Sequence, residues 1–188
     1  MPRPVNFVVR EKILSVGQEY VQANGFNACS VQDIAQAANI PKGSFYSYFE
    51  SKEAFAVEIL QAYWAGILES DHLVNGMATT LVEHFDALAN YHEKNLFVKG
   101  CLLGNLALEL GGNNAVVRDT LLEIFFEWKK LLLTKIQAEF PNKTETELNQ
   151  LVDVCISGFE GAVMQAKLLK SNIPFLSFKN IFLKQILK

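Results

Sequence analysis

The chain has 188 residues, half of them hydrophobic, and carries a formal net charge of −3 at pH 7. This length fits one domain or two small ones, and the charge gives no sign of a polyanion partner for the chain as a whole. The most apolar region, 151–169, contains three charged residues, so we expect no membrane span and a cytosolic protein. The three cysteines are unclustered, which argues against a disulfide framework or a zinc cluster.

Hydrophobic positions recur at helical spacing along most of the sequence, and strand-like alternation is nearly absent. We therefore predict an all-α protein of about nine helices. Gly25 predicts the end of the first helix, the Ser30–Asp33 segment predicts a capped start of the second, and Pro41 predicts the start of the third. The predicted helices cover residues 7–24, 30–38, 41–49, 52–71, 78–94, 101–110, 116–140, 145–169 and 174–187.

The segment 30–52 has the spacing of a helix-turn-helix. Its apolar positions predict two inner faces that pack on each other, and Ala35 is small enough to let the helices cross closely. The outward face of the third helix offers short polar groups, one cation and an aromatic hydroxyl. Such a face suits a helix whose first residues enter a DNA major groove. The outward residues are Lys42, Gly43, Ser44, Ser47 and Tyr48.

Several short motifs in about the first 60 residues stand at a characteristic spacing. They are Gly25-Phe26, Ser30-Val31, Ile34-Ala35, Lys42-Gly43-Ser44, Phe45-Tyr46, Tyr48-Phe49 and Ser51-Lys52-Glu53. At this spacing they resemble the TetR/AcrR family of transcriptional repressors. The resemblance implies a helix-turn-helix DNA-binding domain over 1–51, followed by a ligand-sensing and dimerisation domain over 52–188.

The resemblance also implies DNA-contact roles for individual residues. Residues 42–44 would form the groove-facing start of the recognition helix. Tyr46 and Lys52 match residues that contact backbone phosphate in the family, and Tyr48 lies close enough in sequence to do the same. Ser30 matches the hydroxyl residue that caps the second helix and can also touch phosphate.

Two positions in this motif depart from the family pattern. Asn39 replaces the usual turn glycine, which is tolerable because Asn accepts left-handed backbone geometry. Pro41 stands where a capping Ser or Thr is common, so the base contacts could shift by one residue.

A second resemblance concerns the segment Gly100–Leu110, which is similar to a TetR branch of electrophile and oxidant sensors, the N-ethylmaleimide repressor type. Cys101 would begin a helix, where unpaired amide N–H groups stabilise the thiolate that attacks quinones, aldehydes and hypochlorous acid. The segment 159–167 resembles the matching helix of that branch, in which a lysine, here Lys167, can lie near the sensing cysteine. The alternatives are a buried, inert thiol at Cys101 and an ordinary surface lysine at Lys167.

A reversibly bound ligand would need an apolar and aromatic pocket. The candidate lining residues are Trp64, Phe85, Phe97, Leu102, Asn105, Phe125, Trp128 and Met164, with His92 as a polar anchor. Each of them would also serve as ordinary core. The histidines lack metal-ligand spacing, so we expect neither a metal site nor a cofactor.

The family resemblance implies a homodimer, formed through the last two predicted helices, on a palindromic double-stranded operator. Gly158, Gly161 and Ala162 would let a partner helix approach closely. We therefore predict a dimeric repressor, and not an enzyme, that a small molecule, electrophile or oxidant releases from DNA, with Cys101 as the candidate sensor. The alternatives are a repressor with a purely reversible apolar ligand, a helical interaction module without a DNA role, and a small all-α enzyme. An enzyme would need a base near Cys101, and Glu109 is the candidate on the same helix.

Overall fold

The computed structural model describes residues 6–75, 80–137 and 139–187, and within these ranges it contains helices and no strand. The helices are α1 (Phe7–Asn24), α2 (Val31–Ala37), α3 (Lys42–Phe45), α4 (Lys52–Asn75), α5 (Leu81–Lys94), α6 (Leu102–Leu110), α7 (Ala115–Ile136), α8 (Glu145–Leu169) and α9 (Ile173–Ser177). After α9 the chain continues through a π-helical turn (Phe178–Leu183) into the short α10 (Lys184–Ile186). The predicted all-α architecture is confirmed.

Side-chain caps start several helices where the sequence places a hydroxyl residue. The Ser30 hydroxyl accepts the Asp33 N–H at 3.2 Å, while the Asp33 carboxylate accepts the Ser30 N–H at 2.8 Å. The same reciprocal arrangement, with a glutamate three residues on, begins α5 at Thr80 and α8 at Thr144. Each reciprocal pair satisfies backbone donors that the first helical turn leaves open. The capping predicted at Ser30 is therefore present.

The C-terminal segment differs from the single helix predicted over 174–187. It changes to a π-helical turn at Phe178–Leu183. At this turn the aromatic ring of Phe182 lies over Gly158, where an added Cβ would come within 2.9 Å of ring atoms. Gly158 therefore accommodates a side chain of its own chain, whereas Gly161 has open space around it. Spacing alone could not distinguish these two uses of a small residue.

The described residues fall into two compact units. Of the described residues, the first contains 6–65 and 102–122, and the second contains 66–75, 80–101, 123–137 and 139–187. In the first unit, the rings of Phe45, Phe49 and Phe55 pack with centroid separations of 5.1–5.5 Å, and all three are almost completely buried. This aromatic cluster holds α3 against the start of α4. It fixes the orientation of the short third helix, which has too few hydrogen bonds of its own to be stable alone.

The core of the second unit is also aromatic. Phe159 on α8 lies 5.0 Å from Phe85, 5.6 Å from Phe175 and 5.5 Å from Phe178, measured between ring centroids. Side chains from α5, α8, α9 and the π-helical turn therefore meet around one residue. No helix in the described ranges is long and apolar enough to cross a membrane.

Candidate DNA-binding helix and sensor site

The start of α3 exposes residues that the sequence predicts to face a DNA groove. Pro41 precedes the helix without a side-chain cap, and Lys42 and Gly43 after it are exposed. A Cβ placed on Gly43 would meet no atom within 4 Å, so the backbone here is open to close approach. Ser44 is half-buried, and Phe45 on the opposite side is completely buried. One face of α3 is thus buried in the core, and the opposite face is exposed and could contact DNA.

Three further candidates follow in the turn after α3. Tyr46 is 53% exposed and packs edge-on against Phe45, with ring centroids 5.5 Å apart. Ser47 is exposed and Tyr48 is half-buried. The turn before α3 contains Asn39 with φ 54°, in the left-handed geometry that the sequence predicts there.

Lys52 and Ser30 occupy positions beside this surface and are engaged within the chain. The Lys52 ammonium donates to the Phe26 carbonyl at 2.5 Å and lies 4.0 Å from the centroid of the Phe26 ring. The Ser30 hydroxyl donates to the Asp33 carboxylate at 2.6 Å. An ammonium carries three N–H donors, so the contact to Phe26 leaves Lys52 capacity to bind a phosphate.

The turn between α1 and α2 is held by a carboxylate from α6. Glu109 accepts the Phe26 N–H at 2.9 Å and the Asn27 N–H at 2.7 Å. Gly25, with φ 90°, brings the turn so close that an added Cβ would lie 3.3 Å from a Glu109 oxygen. One turn earlier on α6, the amide of Asn105 donates to the Gln22 carbonyl at 3.4 Å. Glu109 is thus committed to this turn, and it is not the base beside Cys101 that an enzyme would require.

Cys101 lies immediately before the first residue of α6 and is 6% exposed. Its thiol is hydrogen-bonded to the carboxyl group of Glu160 on α8. Burial raises the pKa of Glu160, and the hydrogen bond to Cys101 acts in the opposite direction. The Glu160 Oε1 is buried and has no hydrogen-bond partner among the described residues. An unsatisfied buried acceptor costs about 1–3 kcal/mol, so its presence here calls for a functional explanation.

Lys167 of α8 and Lys170, the residue after the end of α8, hold the loop that leads to Cys101. The Lys167 ammonium donates to the Lys99 carbonyl at 3.3 Å, and the Lys170 ammonium donates to the Phe97 carbonyl at 3.1 Å. Leu96, Phe97 and Gly100 in this loop have φ values of 52°, 55° and 73°. Left-handed geometry is costly for Leu and Phe and persists where surrounding contacts impose it. The structure therefore places Lys167 at the backbone two residues before Cys101.

The other two cysteines have different surroundings. Burial raises the pKa of the Cys155 thiol to about 12. Burial also raises the pKa of Cys29, with a smaller opposing effect from the charge of Lys52. Since the thiolate is the reactive species, both residues are poor nucleophiles.

The predicted ligand-lining residues are divided between the two units. Trp64 and Asn105 belong to the first unit, and His92 and Trp128 belong to the second. The His92 ring is 4% exposed and stacks on Phe175 with centroids 5.7 Å apart, and burial lowers its pKa to about 4. The Trp128 indole N–H lies 2.9 Å from the His84 Nε2, its hydrogen-bond acceptor.

Met164 is separate from this core, because two-thirds of its side chain is exposed on α8. Sequence reasoning missed Glu160 as a neighbour of Cys101 and His84 as a neighbour of Trp128. In each pair the residues lie far apart in the chain. The signal in the sequence that could have identified Glu160 is that it is a charged residue within the most apolar region, 151–169.

Two family models match the chain. The model described as bacterial regulatory proteins of the tetR family matches residues 13–59, and the model described as the tetracyclin repressor-like C-terminal domain matches residues 76–182. The chain belongs to the TetR family. The first match spans the helix-turn-helix with its exposed α3, and the second spans both Cys101 and Glu160.

Individual TetR-type relatives support this assignment over nearly the full length. The repressor DhaR of Mycobacterium sp. (strain GP1) is 31% identical, with 95% of this chain and 92% of that protein covered. The crystal structure of the regulatory protein TetR from Rhodobacter sphaeroides is 25% identical with a TM-score of 0.81, covering 93% of this chain and 97% of that one. The crystal structure of the reduced form of E. coli NemR is 26% identical with a TM-score of 0.71, covering 95% and 97%.

The family and these relatives establish the general class of the protein. Its relatives are transcriptional repressors and regulators, so this TetR-type chain is a DNA-binding transcriptional repressor and not an enzyme. The similarity to NemR agrees with the resemblance of the Gly100–Leu110 segment to the electrophile-sensing branch.

Proposed function

We propose that this protein is a dimeric repressor that binds a palindromic operator through α3 and is released when an electrophile or oxidant modifies Cys101. The observation that carries the sensing part of the proposal is the surroundings of the cysteine. Cys101 precedes a helix start, is hydrogen-bonded to Glu160 and follows a loop held by Lys167. Neither of the other two thiols has a comparable set of groups.

Operator recognition through α3 is supported by the exposure of its first residues. Lys42 and Gly43 are exposed at the N-terminal end of the helix, where base edges are read in helix-turn-helix proteins. Tyr46 and Ser47 offer hydroxyl groups beside them for phosphate contacts. The chain carries few cations on this face, so tight binding requires two such helices on half-sites about 34–36 Å apart.

Dimerisation is supported by an apolar groove on the C-terminal helices. The groove runs between α8 and the segment that begins with α9, and apolar side chains dominate its lining. Several of the apolar residues here are largely exposed, among them Leu169, Ile173 and Ile181 at 60–65%. Exposed apolar area of this extent marks an interaction surface, and a second copy of the same helices would cover it.

Transmission from Cys101 to DNA has a direct covalent route through α6. The helix begins at Leu102, next to the cysteine, and Glu109 near its other end holds the backbone of the α1–α2 turn. A shift of α6 changes the support of the turn that leads into α2. A hundredfold loss of DNA affinity requires about 2.7 kcal/mol of coupling between the two sites. An adduct in a packed site, where overpacking costs about 1–3 kcal/mol, supplies an energy of this size.

The test is the anisotropy of a labelled DNA fragment from upstream of the protein's own gene, titrated with protein and then challenged with a quinone or hypochlorite. We expect salt-sensitive binding that the challenge releases in the wild type and in Cys155→Ser, but not in Cys101→Ser. Binding that ignores the challenge in all three proteins would contradict cysteine sensing and favour a reversibly bound apolar ligand. Absence of binding to any upstream fragment would contradict the operator part of the proposal.

A further inference from the structure

The pairing of Cys101 with Glu160 supports an inference that rests on the proposed function and specifies its chemistry. We propose that Glu160 takes the proton of the Cys101 thiol during attack on small α,β-unsaturated carbonyl compounds and returns that proton to the adduct. The inference stands on two features of the geometry. The carboxyl group is hydrogen-bonded to the thiol, and its buried Oε1 has no partner in the described part of the chain.

Glu160 is suited to accept a proton because its carboxylate is poorly stabilised. A carboxylate that accepts several hydrogen bonds is a weak base, whereas one with a bare, desolvated oxygen is a stronger one. Burial raises the pKa of Glu160, and the only other influence resolved on it is the hydrogen bond to Cys101. The thiol therefore faces a base that is stronger than a carboxylate on the surface.

The other cysteines provide an internal comparison. The Cys29 sulfur lies 3.9 Å from the carbonyl oxygen of Tyr20, which can accept a hydrogen bond but is no base. For Cys155, burial is the only resolved influence, and it raises the pKa of the thiol to about 12. Cys101 alone among the three has a carboxyl group bonded to its thiol. This difference predicts that reaction is selective for Cys101 although all three cysteines are buried.

The reaction is an addition in which atoms and charge balance. The Cys101 sulfur forms a bond to the β-carbon of the unsaturated carbonyl compound as its proton moves to the Glu160 carboxylate. The π electrons of the carbon–carbon double bond move toward the carbonyl group and give an enolate. Glu160 then donates the proton to the α-carbon, which leaves a thioether at Cys101 and a carboxylate at Glu160. No oxidant or reductant is required.

The surroundings restrict the reagent to small molecules and favour the enolate. The 6% exposure of Cys101 leaves little space for a bulky reagent. The ionisable side chains at this contact are Lys99 and Cys101 from the loop, Glu160 and Lys167 from α8, and Lys170 directly after α8. α5 contributes His92, whose ring centroid lies 6.3 Å from that of Phe159. Positive charge from Lys167 at this loop stabilises a developing enolate.

The experiment measures the rate of Cys101 modification by methyl vinyl ketone in the full-length protein between pH 5 and pH 9, without DNA, by mass spectrometry of the Cys101 peptide. In the wild type we expect the rate to rise as Glu160 ionises and then to level off. In Glu160→Gln we expect a loss of roughly a hundredfold at neutral pH. The rate of that variant should instead keep rising with pH up to pH 9, because without the Glu160 carboxylate the reactive thiolate forms only by losing its proton to solvent. Glu160→Asp should restore part of the rate, and Glu123→Gln on the exposed side of α7 should match the wild type.

Two results would overturn the inference. An unchanged rate and pH profile in Glu160→Gln, with Cys101 still modified and DNA still released, would remove the role of Glu160 and leave the proposed sensor intact. A slower reaction with an unchanged pH profile, not restored by Glu160→Asp, would show that Glu160 supports the structure only. Wild-type protein that methyl vinyl ketone leaves unmodified at Cys101 would overturn both the inference and cysteine sensing.

Discussion

Glu109 on α6 accepts a hydrogen bond of 2.7 Å from the backbone N–H of Asn27, in the turn between α1 and α2. The same carboxylate accepts the N–H of Phe26, while Lys52 donates to the carbonyl oxygen of Phe26. The turn that leads into the helix-turn-helix is therefore held by a negative charge on one side and a positive charge on the other. Since α6 begins at Leu102, the residue after Cys101, the proposed sensing residue directly precedes in sequence the helix that carries Glu109.

Replacing Glu109 tests this connection. Glu109→Ala leaves the two N–H groups without their charged acceptor, and we expect the free energy of unfolding to fall by about 2 kcal/mol. Glu109→Gln, which keeps one carbonyl oxygen, should lose less. Urea denaturation measures both effects, with Glu123→Ala as the surface control. Equal stability of Glu109→Ala and the control would contradict the structural role of this contact.

The recognition surface of α3 predicts a specific effect of Lys42 on DNA binding. Lys42→Ala should weaken operator binding and reduce the slope of log affinity against log salt concentration by about 1 for each subunit, if the ammonium contacts phosphate. Anisotropy titrations at several salt concentrations measure that slope. Lys130→Ala, an exposed lysine of α7, provides the control and should leave the slope unchanged. The same affinity and the same slope in both variants would place Lys42 outside the DNA contact.

The two halves of the chain differ in how much the sequence could predict. In the helix-turn-helix, function depends on neighbouring residues, so the cap at Ser30, the left-handed Asn39 and the buried Phe45 all followed from local spacing. In the proposed sensor region, the important contact joins Cys101 and Glu160, which lie 59 positions apart. Helical periodicity does not specify which buried residues meet, so such a contact requires the tertiary structure. For the same reason, the sequence could not predict that the ring of Phe182 lies over Gly158.

The buried His92 predicts a loss of stability in mild acid. Burial lowers the pKa of His92 from 6.5 to about 4, so the unfolded chain binds a proton between these values that the folded chain does not. The free energy of unfolding should therefore fall as the pH decreases from about 6.5 to about 4, by about 3 kcal/mol from this residue. Above pH 6.5 the residue makes no pH-dependent contribution. Urea denaturation at a series of pH values measures the slope.

His92→Phe is the matched variant for this measurement, because it keeps an aromatic ring against Phe175. Its unfolding free energy should lack the decrease between pH 6.5 and pH 4. Hydrogen bonds with Ser30 and Thr144 lower the pKa values of Asp33 and Glu147. Protonation of these two carboxylates therefore lowers the free energy of unfolding of both proteins at still lower pH. A parallel pH dependence of wild type and His92→Phe would contradict the assignment to His92.

The last prediction concerns dimer assembly through the apolar groove between α8 and the segment that begins with α9. Ile173 and Ile181 on its rim are 62% and 65% exposed in the single chain. In the proposed dimer they become buried, and each fully buried isoleucine contributes about 1.5–3 kcal/mol. A carboxylate at either position would then have to lose its hydration shell without a partner, which opposes association.

Ile181→Asp should therefore convert the protein from a dimer to a monomer of 21.1 kDa, as measured by sedimentation equilibrium. Val116→Asp, which charges a similarly exposed position of α7, should remain dimeric. Since operator affinity depends on two recognition helices bound to linked half-sites, the monomer should also lose specific binding while its far-ultraviolet circular dichroism stays helical. A dimeric Ile181→Asp with intact operator binding would place the subunit interface on another surface. A monomeric variant that still binds the operator tightly would show that a single α3 is sufficient for recognition.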